Sequence, residues 1–95
     1  MSAYLVADLA IADREAFGAY VKVAGPLIEK FGGRVIARSD AATALEGVPP
    51  SHFVIIQFDS TDAAKRFYHS EEYRTPLQQR LGGIATGRVF LVEGA

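Results

Sequence analysis

The chain of 95 residues carries ten basic and eleven acidic side chains for a net charge of −1, is 49% apolar, and contains no cysteine. These values exclude a disordered, highly charged chain, a broad cationic field for phosphate backbones or anionic lipid, and any disulfide, thiolate or cysteine-held metal. A single domain over residues 1–95 is expected in a reducing, cytoplasmic setting with no nucleic-acid partner, and its core is thin, since so short a chain removes only about 60–65% of its unfolded surface from water.

The opening MSAYLVADLAIAD has no basic leader, and Asp8 interrupts its apolar run well short of the roughly 18 residues a membrane span needs, so neither a signal peptide nor an anchor is expected. AYLVADLA (3–10) reads as a first strand. Asp13 then caps a helix with Glu15 in its first turn, and Phe17, Tyr20, Val21, Ala24, Leu27, Ile28 and Phe31 recur at the spacing of one helical face. Gly25-Pro26 is expected to kink this helix and Gly32-Gly33 to stop it.

RVIARS (34–39) reads as a second strand, TALEG (43–47) as a short third one, and VPPS (48–51) as a rigid loop. HFVIIQFD (52–59) is the clearest strand. Ser60 or Thr61 caps a second helix with Ala64, Phe67 and Tyr68 on one side, SEEYRTPLQQRL continues it as a broken helical segment, and GRVFLVEG (87–94) closes the chain as a strand.

Strand-helix-strand units in this order fit a ferredoxin-like βαββαβ α+β sandwich with both helices on one face of an antiparallel sheet. A sheet with one solvated face alternates apolar and polar residues, yet FVIIQF, YLVADLA and VFLV are apolar at both parities. The second face therefore needs a cover, and the economical one is a second copy of the chain: a homodimer through the sheet face.

The set formed by YLVADL, a helix ending EKFGGR, ALEG, VIIQFDS, A-x-x-FY-x-S-x-EY and a closing R-x-x-LVEG resembles the domain-of-unknown-function 1330 family over essentially the whole chain. The resemblance implies membership of the dimeric α/β-barrel superfamily, in which two ferredoxin-like sheets pair into a barrel, and implies no defined activity. Glu71 departs from the pattern, because many similar sequences carry proline there.

Candidate chemistry is sparse. In RFYHSEEYR (66–74), His69 and Glu72 stand three apart but lack a converging third ligand, so no metal site is expected, and Ser70 reads as a helix cap rather than a nucleophile. GGIATG (82–87) precedes a strand instead of opening a helix, and no dinucleotide fingerprint is present, so no cofactor is expected.

Polar residues set among apolar ones remain: Asp8, Arg38, Glu46, His52, Gln57, Tyr68, Tyr73 and Arg80. One reading pairs Arg38 or Arg80 with Glu46 or Asp8 as structural ion pairs at a dimer seam. The other is a pocket between helices and sheet, with His52, Arg80 and Glu46 as catalytic candidates and Arg38, Phe58, Phe67, Tyr68 and Tyr73 as substrate-binding candidates.

Two functions follow. The first is a cofactor-free enzyme acting on a small aromatic or carbonyl compound, monooxygenase- or isomerase-like, and it predicts an apolar pocket on which an arginine and a proton carrier converge. The second is a non-catalytic ligand-binding or structural dimer, which predicts that the polar groups pair with each other and leave no cavity of about 300 Å³ or more.

Overall fold

In a computed structural model of the protein, which describes residues 2–95, the chain starts with strand β1, Ala3–Ile11. Helix α1, Arg14–Lys30, begins where the Asp13 carboxylate accepts the Ala16 amide at 3.0 Å, and it runs continuously through Pro26. It ends in a glycine motif: the Gly33 amide donates to the Ile28 carbonyl at 2.8 Å and the Gly32 amide to Glu29 at 3.0 Å, with Gly32 at φ 84°. Only a residue without a Cβ adopts that backbone readily, and the two bonds satisfy carbonyls that the helix end would leave open.

Strands β2, Arg34–Ser39, and β3, His52–Phe58, form an antiparallel pair with Ile36 bulged out between Val35 and Ala37. Helix α2, Thr61–Tyr68, is capped by Ser60, whose Oγ accepts from the Ala63 amide at 3.1 Å. Helix α3, Glu71–Gln79, is capped by Ser70, whose Oγ accepts from the Tyr73 amide at 3.2 Å and donates to the Phe67 carbonyl at 2.8 Å. A wide helical turn over Arg80–Ile84, with Gly83 at φ 127°, leads into strand β4, Ala85–Glu93.

Ser70→Ala removes a cap that also joins α2 to α3. It is expected to lower stability by about 1 kcal/mol, read as a reduced urea midpoint with an unchanged slope.

The sheet order is β2-β3-β1-β4 with every neighbouring pair antiparallel, the ferredoxin-like arrangement. Alternation assigns the faces. Leu5, Ile56 and Phe58 point toward the helices and pack with Ala24, Ala64, Phe67 and Tyr73. The Phe67 ring lies 5.9 Å from Phe58 and 4.5 Å from Tyr73, so α2 and α3 share one aromatic core.

The opposite face carries Val6, which the register sets between Ile55 and Phe90, with Val92 further along β4. Phe90 and Val92 are 44% and 43% exposed.

Two expectations are corrected. The sheet is open: β2 and β4 are its edges and do not pair with each other, so the closure into a dimeric α/β barrel implied by the resemblance is not found. TALEG is not a strand; residues 43–47 belong to an irregular connection between β2 and β3. There Leu45 and Val48 are 92% and 96% exposed, and a strand without a partner leaves its backbone unpaired. Among the described residues, no helix is long and apolar enough to cross a membrane.

Candidate functional site

Between α1 and the sheet lies a cavity of about 100 Å³ whose walls are mainly aliphatic and aromatic. Phe17, Tyr20, Ala24 and Ile28 reach it from α1, Leu5, Ala7, Val54 and Val89 from the sheet, and Phe67, Tyr68 and Tyr73 from α2 and α3. The apolar periodicity of α1 builds this wall, and the parity of β1 and β3 builds the floor.

His52 stands on the floor at the first position of β3, 5% exposed. Its Nδ1 lies 2.6 Å from Asp40 Oδ1. This pairing follows from register: Ser39 is opposite Phe53, so the next pair outward is Asp40 with His52, both on the helix-facing side. The contact with His52 holds the Asp40 carboxyl below the usual carboxylate range, and Arg14, 3.7 Å away, adds to the effect.

An ionised Asp40 only accepts, so Nδ1 carries a ring proton, and the tautomer this selects leaves a lone pair on Nε2. Among the described residues, His52 Nε2 is the one buried side-chain polar atom without a hydrogen-bond partner. Phe17 packs edge-on against the ring at 5.2 Å.

Further along α1, Phe17 stacks on Tyr20 at 5.6 Å, and the Tyr20 hydroxyl makes a short hydrogen bond to that of Tyr73. Burial, reinforced by Tyr73, pushes the Tyr20 phenol well above its ordinary range, so it remains a neutral hydrogen-bond donor.

Arg80 joins this group, its guanidinium 5.9 Å from the Tyr20 ring centre. It is 3% exposed, and Nη1 donates to the Ala85 carbonyl at 3.3 Å. Burial works against its charge, while the phenols of Tyr73 and Tyr20 favour it, with a net upward shift. Among the described residues, no carboxylate forms an ion pair with Arg80.

The structure brings His52, Arg80, Arg38, Phe67, Tyr68 and Tyr73 to this one cavity. Glu46 is exposed in the irregular connection and does not line the cavity, and Phe58 is buried in the core beside it, 1% exposed. The ion pairs expected at a seam also differ. Asp8 binds Arg88 Nη2 at 2.9 Å directly across the β1–β4 register, and Glu72, weighed with His69, instead accepts from Lys30 Nζ at 2.7 Å.

Asp40, Phe17 and Tyr20 escaped the sequence reading as site residues. Asp40 and His52 flank the same irregular segment, a signal hidden by the strand expected at 43–47. The periodicity of α1 places Tyr20 only on an apolar face.

The cavity lies below the roughly 300 Å³ expected of a drug-sized pocket, His52 Nε2 has no hydrogen-bond partner, and no carboxylate pairs with Arg80 among the described residues.

The fold matches the crystal structure of RPA0582, a protein of unknown function from Rhodopseudomonas palustris, with a TM-score of 0.74 at 19% identity, covering 99% of this chain and 82% of that one. Its methylated form matches equally, with a TM-score of 0.74, 19% identity, and coverage of 99% and 81%. An ethyl tert-butyl ether d (ethd) family protein from Bacillus halodurans aligns with a TM-score of 0.61 at 14% identity, covering 100% and 99% of the two chains. At these identities the likeness is one of fold. No curated protein matches the chain. Residues 2–95 match the family model described as "Domain of unknown function (DUF1330)", and the chain belongs to that family.

Proposed function

We propose that the protein is a cofactor-free, isomerase-like enzyme that moves a proton on a small carbonyl compound, with His52 as the base. The observation that carries this reading is the buried, unpartnered Nε2 of a cavity-lining histidine whose other nitrogen is held by a carboxylate. A positioned imidazole of this kind contributes about 10²–10⁴-fold to proton transfer. Tyr20 and Tyr73 supply hydroxyl donors for the oxygen that gains charge, and Arg80 supplies a positive field in a water-poor site.

In the reaction, Nε2 takes a proton from the carbon beside the carbonyl. The C–H electron pair becomes a C=C bond, and the carbonyl π pair moves onto oxygen as an enolate beside the phenols. Return of the proton from the imidazolium to carbon or oxygen completes an exchange or a tautomerisation, with no oxidant or reductant consumed. Phe67, Tyr68 and Tyr73 wall the substrate, and Arg38 stands where the cavity meets β2. A cytoplasmic location suits a chain without cysteine. The test is proton NMR of small ketones and aldehydes in deuterated buffer: loss of the signals beside the carbonyl should be faster with protein than without. Equal rates across the panel would remove the reading.

The exposed Phe90 and Val92 favour a second statement, that another copy of the chain covers the open sheet face. Burying even a few hundred Å² of apolar surface at about 25 cal/mol per Å² contributes several kcal/mol, a large share of the stability of so small a domain. Light scattering at micromolar concentration is expected to give twice the chain mass, and Phe90→Asp to give one chain mass. A monomeric wild type would refute this arrangement without touching the proton-transfer reading.

A further inference from the structure

Burying a guanidinium without a carboxylate beside it is costly unless something else supplies the negative charge. Arg80 is in that position. It lines the cavity at 3% exposure, Nη1 donates to the Ala85 backbone carbonyl, and the titratable groups acting on it are phenols, of which Tyr20 is held neutral by burial. The phenols of Tyr73 and Tyr20 outweigh the desolvation of the charge, yet among the described residues no carboxylate beside it supplies a formal counter-charge.

The cavity also limits size. At about 100 Å³ it is smaller than an engineered apolar cavity of about 150 Å³ that admits benzene, so it takes a molecule on the order of four to six non-hydrogen atoms and excludes an aromatic acid.

His52 and Arg80 are linked by a chain of ring contacts, from His52 to Phe17 at 5.2 Å, Phe17 to Tyr20 at 5.6 Å, and Tyr20 to Arg80 at 5.9 Å. The cavity thus has a basic nitrogen and a cation, separated by apolar walls. A molecule satisfying both carries an anionic group for the cation and an acidic C–H for the base.

We propose that the ligand is a short aliphatic oxo acid, whose carboxylate pairs with Arg80 beside the Tyr20–Tyr73 hydroxyls and whose activated carbon faces His52. The substrate class rests on the proton-transfer reading above, whereas the carboxylate–Arg80 contact does not. The aliphatic segment lies against Ala7, Ala24, Val54 and Val89, which offer it no hydrogen bond. Charge-assisted pairing in a dry site favours the acid over a neutral analogue of the same shape by about 10- to 100-fold.

The experiment titrates wild-type protein with pyruvate, its methyl ester, 2-butanone and benzoate, reading tyrosine ring shifts by NMR. The same protein is then followed for solvent deuterium exchange into each ligand that binds. The acid is expected to bind at least tenfold more tightly than the ester or the ketone, and benzoate to bind weakly. Arg80→Met should lose that preference, and Arg80→Lys should recover part of it.

Equal binding of acid and ester by the wild type overturns the proposal even if Arg80→Met does not fold. So does an Arg80→Met protein that folds and keeps the preference, or benzoate binding as tightly as the oxo acid. Acid binding through Arg80 without exchange leaves the anion site standing and removes the proton-transfer reading. Exchange confined to the neutral ketone does the reverse.

Discussion

Replacing His52 by glutamine is expected to slow protein-catalysed deuterium exchange into a bound carbonyl compound by about 10²–10⁴-fold, the usual worth of a positioned general base. The amide fills similar space and can still bond to Asp40, so folding and ligand affinity should change little. Kinetics of exchange and a binding titration on the same sample separate the two. A full exchange rate in His52→Gln would mean that the orphan Nε2 has no chemical part.

Asp40→Asn is the companion variant. The amide can donate to Nδ1 and favour the tautomer whose proton sits on Nε2, which turns an acceptor into a donor at the cavity. Ring-nitrogen NMR shifts read that exchange of roles, and activity is expected to fall without loss of fold. The Asp40 carboxyl is lowered in the folded protein by its contact with His52, so its contribution to stability is present above the ordinary carboxylate pKa and is lost as pH falls through the depressed value. Asp40→Asn should accordingly flatten that acid limb of the stability profile.

Gly87→Ala is expected to have the largest effect on stability of any single methyl addition in the chain. Gly87 sits opposite Leu9 in the β1–β4 pair at φ 157°, and a Cβ built there falls 2.1 Å from the Asp8 carbonyl oxygen and 3.1 Å from the Leu9 Cα. Both obstacles are backbone in the middle of the sheet, so relief requires β1 and β4 to part. Overpacking of side chains alone costs about 1–3 kcal/mol, and displacing a ladder costs at least the upper end of that range. Thermal denaturation followed by circular dichroism checks it; a melting temperature within two degrees of wild type would show that the strands shift at little cost.

The parts of the fold that were legible in the sequence are those set by local chemistry. Asp13, Ser60 and Ser70 announce helix starts because each carries an oxygen able to accept an orphan amide, and Gly32-Gly33 announces a stop. HFVIIQF reads as a strand from its unbroken run of β-formers. TALEG carries a single β-former, Thr43, and has no partner strand, so neither composition nor pairing holds it extended.

The sheet's closure failed for a related reason, since it depends on whether β2 and β4 meet and no local pattern records that. At the site, His52 and Arg80 stood out as polar residues among apolar ones. Asp40 became visible only through the β2–β3 register, and Tyr20 only through its hydroxyl contact with a tyrosine 53 positions away. Glu46 shows the converse: a carboxylate beside an apolar residue in sequence can be fully hydrated when that neighbour is itself on the surface.

Helix α1 roofs the cavity and is pinned at intervals along its length: Arg14 to Asp40, the Tyr20 hydroxyl to Tyr73, and Lys30 to Glu72. The outer two ties are exposed and yield readily, while the middle one is sheltered. The tyrosine pair is thus the sheltered tie that keeps the helix seated over the cavity. The helix that supplies the Phe17–Tyr20 wall also carries Arg14, so the roof of the cavity and the Asp40–His52 pair share one element.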